Sequence, residues 1–76
     1  MSEKRSLAHK ESSNLVRELR EALLMTRAEL AERAGVSLRT VWSVESGVPC
    51  RVLTKRKILE ALGIPKEEHR TVFPNR

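Results

Sequence analysis

The side chains able to do chemistry in this sequence are mostly cations. Lys and Arg number 15 against 10 Asp and Glu, a net charge of +5 in 76 residues. That excess, with a pI near 10.2, favours a polyanionic partner. The charge is concentrated in the middle of the chain. From Arg27 to Lys57 there are seven basic residues (Arg27, Arg33, Arg39, Arg51, Lys55, Arg56, Lys57) against three acids (Glu29, Glu32, Glu45). Charge alone leaves nucleic acid, an anionic membrane surface and an acidic protein open. Trp42 and Phe73 are the only aromatics. They are too few for the stacking platforms of single-strand binders, so duplex DNA is favoured.

Catalysis has no comparable support. His9 and His69 lie far apart, and neither pairs with a cysteine at a metal-ligand spacing. Cys50 is the single cysteine. It can form no disulfide within the chain, and it fits a reducing compartment. Redox sensing is one reading of it, an unactivated loop thiol the plainer one. The three glycines stand apart as helix stops and make no phosphate loop. A chain of this length has little room for a substrate pocket beside its core. No catalytic residue, metal, cofactor or small-molecule ligand is therefore expected. Neither a membrane-spanning run nor the apolar region of a secretory signal occurs, so a cytoplasmic, non-membrane protein is expected.

The elements that must position the cations are helical. No stretch alternates apolar and polar residues as a strand does. Residues 1–12 are polar and basic and read as a flexible arm. Lys4, Arg5 and Lys10 suit a minor-groove contact or simple disorder. Residues 13–76 read as one domain. Ser12 or Ser13 can cap a first helix to about Leu24, with Leu15, Val16, Leu19, Ala22 and Leu23 inward. Thr26 and Glu29 form a capping box for a second helix, which buries Leu30, Ala31 and Ala34 and stops at Gly35. Ser37 can cap a third helix, with Val41 and Val44 inward and Gly47 and Pro49 at its end. A fourth helix is expected from about Leu53 to Leu62, stopped by Gly63. Pro65 opens a short fifth, ahead of a final apolar pair, Val72 and Phe73.

Thr26–Gly47, TRAELAERAGVSLRTVWSVESG, thus joins two short amphipathic helices through a tight turn. That is the sequence form of a helix-turn-helix, whose second helix can enter a major groove. Ala31 and Gly35 are small where the two helices would cross, so a larger side chain at either is expected to force them apart.

These residues resemble the phage-repressor type of helix-turn-helix, the XRE or Cro-like family. The pattern is Leu30-Ala31, Ala34-Gly35-Val36-Ser37, Thr40-Val41, Val44-Glu45 and Gly47, continuing to Ala61-Leu62-Gly63-Ile64. It covers about 14–64. The resemblance implies an all-α, five-helix, lambda-repressor-like domain with the motif formed by helices two and three. It implies a sequence-specific regulator of transcription on double-stranded DNA, usually a repressor, acting as a homodimer on an inverted repeat. An interaction module such as an antitoxin or anti-regulator, holding a protein partner with the same fold, is the alternative.

The resemblance also implies roles for residues. Leu38, Arg39 and Ser43 take the positions that touch base edges. Arg39 can grip guanine O6 and N7 with two hydrogen bonds, or bind phosphate alone. Leu38 can pack on a thymine methyl, or against the second helix. Arg27 stands where well-known members carry a phosphate-binding Gln, and arginine binds phosphate well. Ser37, Thr40 and Ser46 are candidates for backbone contact, Ser37 equally for a cap only. Trp42 replaces a smaller or polar residue. Its indole N–H suits a phosphate, its ring a half-buried packing role. Arg51, Lys55, Arg56 and Lys57 fall where the family reaches the sugar-phosphate backbone, or form a solvated basic face. Glu45 is read as structural, paired with a basic group or capping an amide. Val72 and Phe73 of the fifth helix are expected at a dimer interface, with Phe73 folded back into its own core as the alternative.

Overall fold

The computed structural model of the chain describes residues 14–74. The expected arm and the serines proposed as the first cap lie outside these residues. Among the described residues there are five α-helices and no strand: α1 (Val16–Ala22), α2 (Arg27–Ala34), α3 (Leu38–Glu45), α4 (Val52–Leu62) and α5 (His69–Val72). A single 3-10 turn, Lys66–Glu68, leads into α5.

Local chemistry sets the ends of the middle helices. The Thr26 hydroxyl accepts from Glu29 N–H at 3.0 Å, and the Glu29 carboxylate accepts from Thr26 N–H at 2.8 Å. Two backbone donors of the first turn of α2 are thereby satisfied. Gly35 ends α2 at φ 73°, a left-handed conformation that costs glycine little. A Cβ at Gly35 would meet nothing within 4 Å. The glycine answers to backbone conformation, and the expected crowding at that position is absent. Ala31, at 5% exposure, does sit in the packed interior. Ser37 Oγ accepts from Thr40 N–H at 3.0 Å and caps α3.

The ends of the chain depart more from expectation. Asn14 Oδ1 accepts from the Val16 N–H at 3.0 Å. Its side-chain amide donates to the Val44 carbonyl at 2.7 Å, tying the start of α1 to the end of α3. α1 stops at Ala22, and Leu24 adopts φ 56°. This swings Met25 into the core and leaves Leu23, expected inward, half exposed. Pro65 precedes the 3-10 turn and is not inside a helix. Leu15 N–H donates to the Val72 carbonyl at 2.9 Å, so the two ends of the described chain meet.

The core joins Val16 of α1, Met25, Leu30, Ala31 and Ala34 of α2, Val41 and Val44 of α3, Ile58, Leu59 and Leu62 of α4, and Val72 and Phe73. α2 packs against both α3 and α4. This holds α3 with Val41 and Val44 buried and its opposite face in solvent.

Candidate nucleic-acid interface

The outer face of α3 carries the candidate reading residues. Leu38 and Arg39 are exposed and Ser43 is half-buried. With Trp42, Ser46 and Val48 they line an open notch of about 460 Å³. Their convergence follows from spacing: residues 38, 39, 42, 43 and 46 recur at intervals of three and four and so share one helical face. Val48 was not foreseen. It reaches the notch because its N–H bonds the Ser43 carbonyl at 3.0 Å, drawing the loop back against α3.

Behind this face lies an ion-paired cluster. Arg20 donates from Nε to Glu45 Oε2 at 2.6 Å and from Nη2 to Oε1 at 3.3 Å. Its Nη1 donates to the Met25 carbonyl at 2.8 Å. Arg27 Nε donates to Glu45 Oε1 at 2.9 Å. The Arg20 and Glu45 side chains are only 8% and 4% exposed. Burial of such a pair is tolerable only with hydrogen bonds to the remaining polar atoms, and among the described residues no buried side-chain nitrogen or oxygen lacks a partner. Glu45 is therefore the structural acid it was read to be. The burial of Arg20 was not legible in the sequence.

Arg27 links that cluster to the surface. Its guanidinium lies 4.2 Å from the centre of the Trp42 ring, a cation–π arrangement. One nitrogen is held by Glu45 and one face by the indole. Its terminal amines make no hydrogen bond among the described residues, and the side chain is 30% exposed. Such an arginine is immobilised before any anion arrives. Trp42 is half exposed, so one ring serves both as a support for Arg27 and as a wall of the notch.

The remaining candidates divide. The hydroxyls of Ser37 and Thr40 lie 2.9 Å apart, and Ser46 Oγ donates to the Trp42 carbonyl at 2.9 Å. These groups shape the ends of α3 and keep acceptor capacity toward solvent. Arg51 is exposed immediately before α4. Lys55 and Arg56 are placed elsewhere. They line a separate groove of about 410 Å³ with Val52, Leu59, Lys66 and His69, and Lys55 Nζ lies 5.4 Å from the centre of the Phe73 ring. Val72 and Phe73, expected at a dimer face, are 2% and 4% exposed and complete the chain's own core. Little of either side chain is left for a partner. Cys50 sits half-buried in the loop before α4. Burial raises its thiol pKa, with the Lys55 charge opposing that rise, so the thiol is not activated.

Among the described residues no group of His, Cys, Asp and Glu is arranged to hold a metal ion. No described helix is long and apolar enough to cross a membrane.

Neither a curated protein nor a solved structure matches the chain significantly. The profile of a protein family described as Helix-turn-helix matches residues 16–69. That span runs from the first residue of α1 to the first of α5 and takes in the whole outer face of α3. The chain belongs to the phage-repressor-like (XRE/Cro-like) helix-turn-helix family, a family of DNA-binding regulators and not of enzymes.

Proposed function

We propose that this chain is a cytoplasmic transcriptional repressor that binds an inverted-repeat operator as a homodimer, with α3 of each protomer in the major groove. The observation that carries this reading is the outer face of α3. It offers one long hydrogen-bonding head, Arg39, flanked by Leu38 and Ser43, on a helix fixed from behind by the Arg20–Glu45 pair. Arg39 reads a guanine, and Leu38 and Ser43 touch neighbouring base edges. Arg27, Trp42, Arg51 and the hydroxyls of Ser37, Thr40 and Ser46 flank this face and engage phosphates, which set register but not sequence. Lys55 and Arg56, which line a separate groove, add their charge to the same field. Two half-sites one turn of DNA apart would present two such helices together. With Val72 and Phe73 buried in the chain's own core, a dimer contact through α5 would use its exposed side.

The test is binding of the full chain to the region upstream of its own gene, against random duplex, at two salt concentrations. A repressor of this kind protects a discrete, two-fold symmetric site and prefers it at both salts. Salt-sensitive binding with no preferred sequence is what phosphate contacts alone give, and it would contradict the reading. A tight complex with the product of an adjacent gene, without DNA binding, would favour the interaction-module alternative.

A further inference from the structure

The reading face carries an excess of apolar surface. Leu38, Trp42 and Val48 are each about half exposed (46%, 52% and 52%), and all three line the notch beside Arg39 and Ser43. A surface built only to meet phosphates would have no use for them. Base-pair edges in the major groove are hydrogen-bonding groups, with one apolar exception, the C5-methyl of thymine.

The notch is also fixed in advance. Trp42 is held on one face by Arg27 at 4.2 Å. Val48 is pinned by its N–H to the Ser43 carbonyl at 3.0 Å, after Gly47 turns the chain at φ 91°. A preformed apolar surface gives up little ordering entropy on contact.

We infer that the notch between Leu38, Trp42 and Val48 seats the 5-methyl group of a pyrimidine neighbouring the guanine that Arg39 grips. This deepens the proposed reading of duplex DNA and rests on it. Val48 is a specificity-determining residue from the loop, outside the helix that carries the others. The chemistry recognised is the methyl carbon. The site therefore favours thymine over uracil, and 5-methylcytosine over cytosine, at one position in each half-site. Cytosine methylation there strengthens binding.

The experiment starts from a duplex enriched by the full chain from a random library. Each thymine is then replaced singly by uracil, which removes only the methyl, and the dissociation constant is measured by fluorescence anisotropy. Burial of one methyl predicts that a single thymine per half-site shows a loss of about fourfold. At that position 5-methylcytosine binds about fourfold more tightly than cytosine. Leu38→Ala and Val48→Ala, confirmed as folded by circular dichroism, weaken binding of the thymine duplex more than that of the uracil duplex. They no longer distinguish the two duplexes. A merely structural role would weaken both duplexes alike. The inference is overturned if every thymine can be replaced without effect, or if both variants keep the discrimination. An enrichment that yields no preferred sequence overturns the sequence-reading function itself, and this inference with it.

Discussion

Arg20 and Glu45 meet inside the core through two hydrogen bonds, although 25 residues separate them. The pair joins α1 to the last residue of α3, so α3 is anchored from below by charge as well as by Val41 and Val44. Removing one member leaves the other buried without its partner. Glu45→Ala is expected to cost about 3–5 kcal/mol, a large part of what so small a domain has. Thermal unfolding followed by circular dichroism should show a much lower midpoint or no transition. An unchanged midpoint would mean that the pair contributes nothing.

Leu24 is the one non-glycine residue with positive φ among those described, and it is 90% exposed. A left-handed conformation costs a β-carbon residue about 1–2 kcal/mol, and this leucine gains little burial in return. Leu24→Gly relieves the strain but loosens the unfolded chain. A net gain of about 0.5–1 kcal/mol remains from these opposing terms. Chemical denaturation should show a higher midpoint with an unchanged slope. A lower midpoint would indicate a tertiary contact for Leu24.

These two cases show what could be read from the sequence and what could not. The capping box of Thr26 and Glu29, the stop at Gly35 and the cap at Ser37 depend on residues within one turn of each other, so local pattern suffices. The outer face of α3 followed from helical spacing once that cap was placed. Arg20 has a partner distant in sequence, and nothing nearby marks it as buried. Leu23 misled because α1 ends at Ala22, and the left-handed Leu24 then substitutes Met25 for it in the core. Val48 belongs to a loop, where periodicity carries no information, and only its bond to Ser43 brings it to the notch. Arg51, Lys55 and Arg56 are grouped by the family resemblance, which does not show that Lys55 and Arg56 line a groove apart from the α3 notch.

Cys50 should behave as a quiet thiol. Burial holds its pKa above the ordinary value, with Lys55 only partly offsetting this. Alkylation by iodoacetamide near pH 8 should be slower in the native chain than in the urea-unfolded one, since the thiolate is the reactive form. The linkage has a definite sign. Between the ordinary and the raised pKa the unfolded chain has lost the proton that the folded chain keeps, so stability falls as pH rises through that interval. Cys50→Ala should flatten this alkaline loss. Equal alkylation rates in the two states would contradict the burial.

Trp42 is the only tryptophan, and it stands at the notch over Arg27. Its fluorescence should shift to shorter wavelength when a cognate duplex covers the indole. Trp42→Ala should keep the fold, because the ring is half exposed, while weakening DNA binding by about 5–30-fold through loss of the support for Arg27 and of contact area. An emission spectrum unmoved by saturating duplex would place the DNA elsewhere on the surface.

The central claim is that Arg39 supplies most of the hydrogen-bonded sequence readout. It is tested most directly by measuring the affinities of the parent and Arg39→Ala for every single-base variant of an enriched operator. The expected result is a loss of about 1–3 kcal/mol of discrimination at one guanine per half-site, with preferences elsewhere retained. Arg56→Ala, by contrast, should lower affinity for all duplexes alike and reduce the salt dependence. If Arg39→Ala keeps the full preference at every position, guanine reading by this arginine is contradicted.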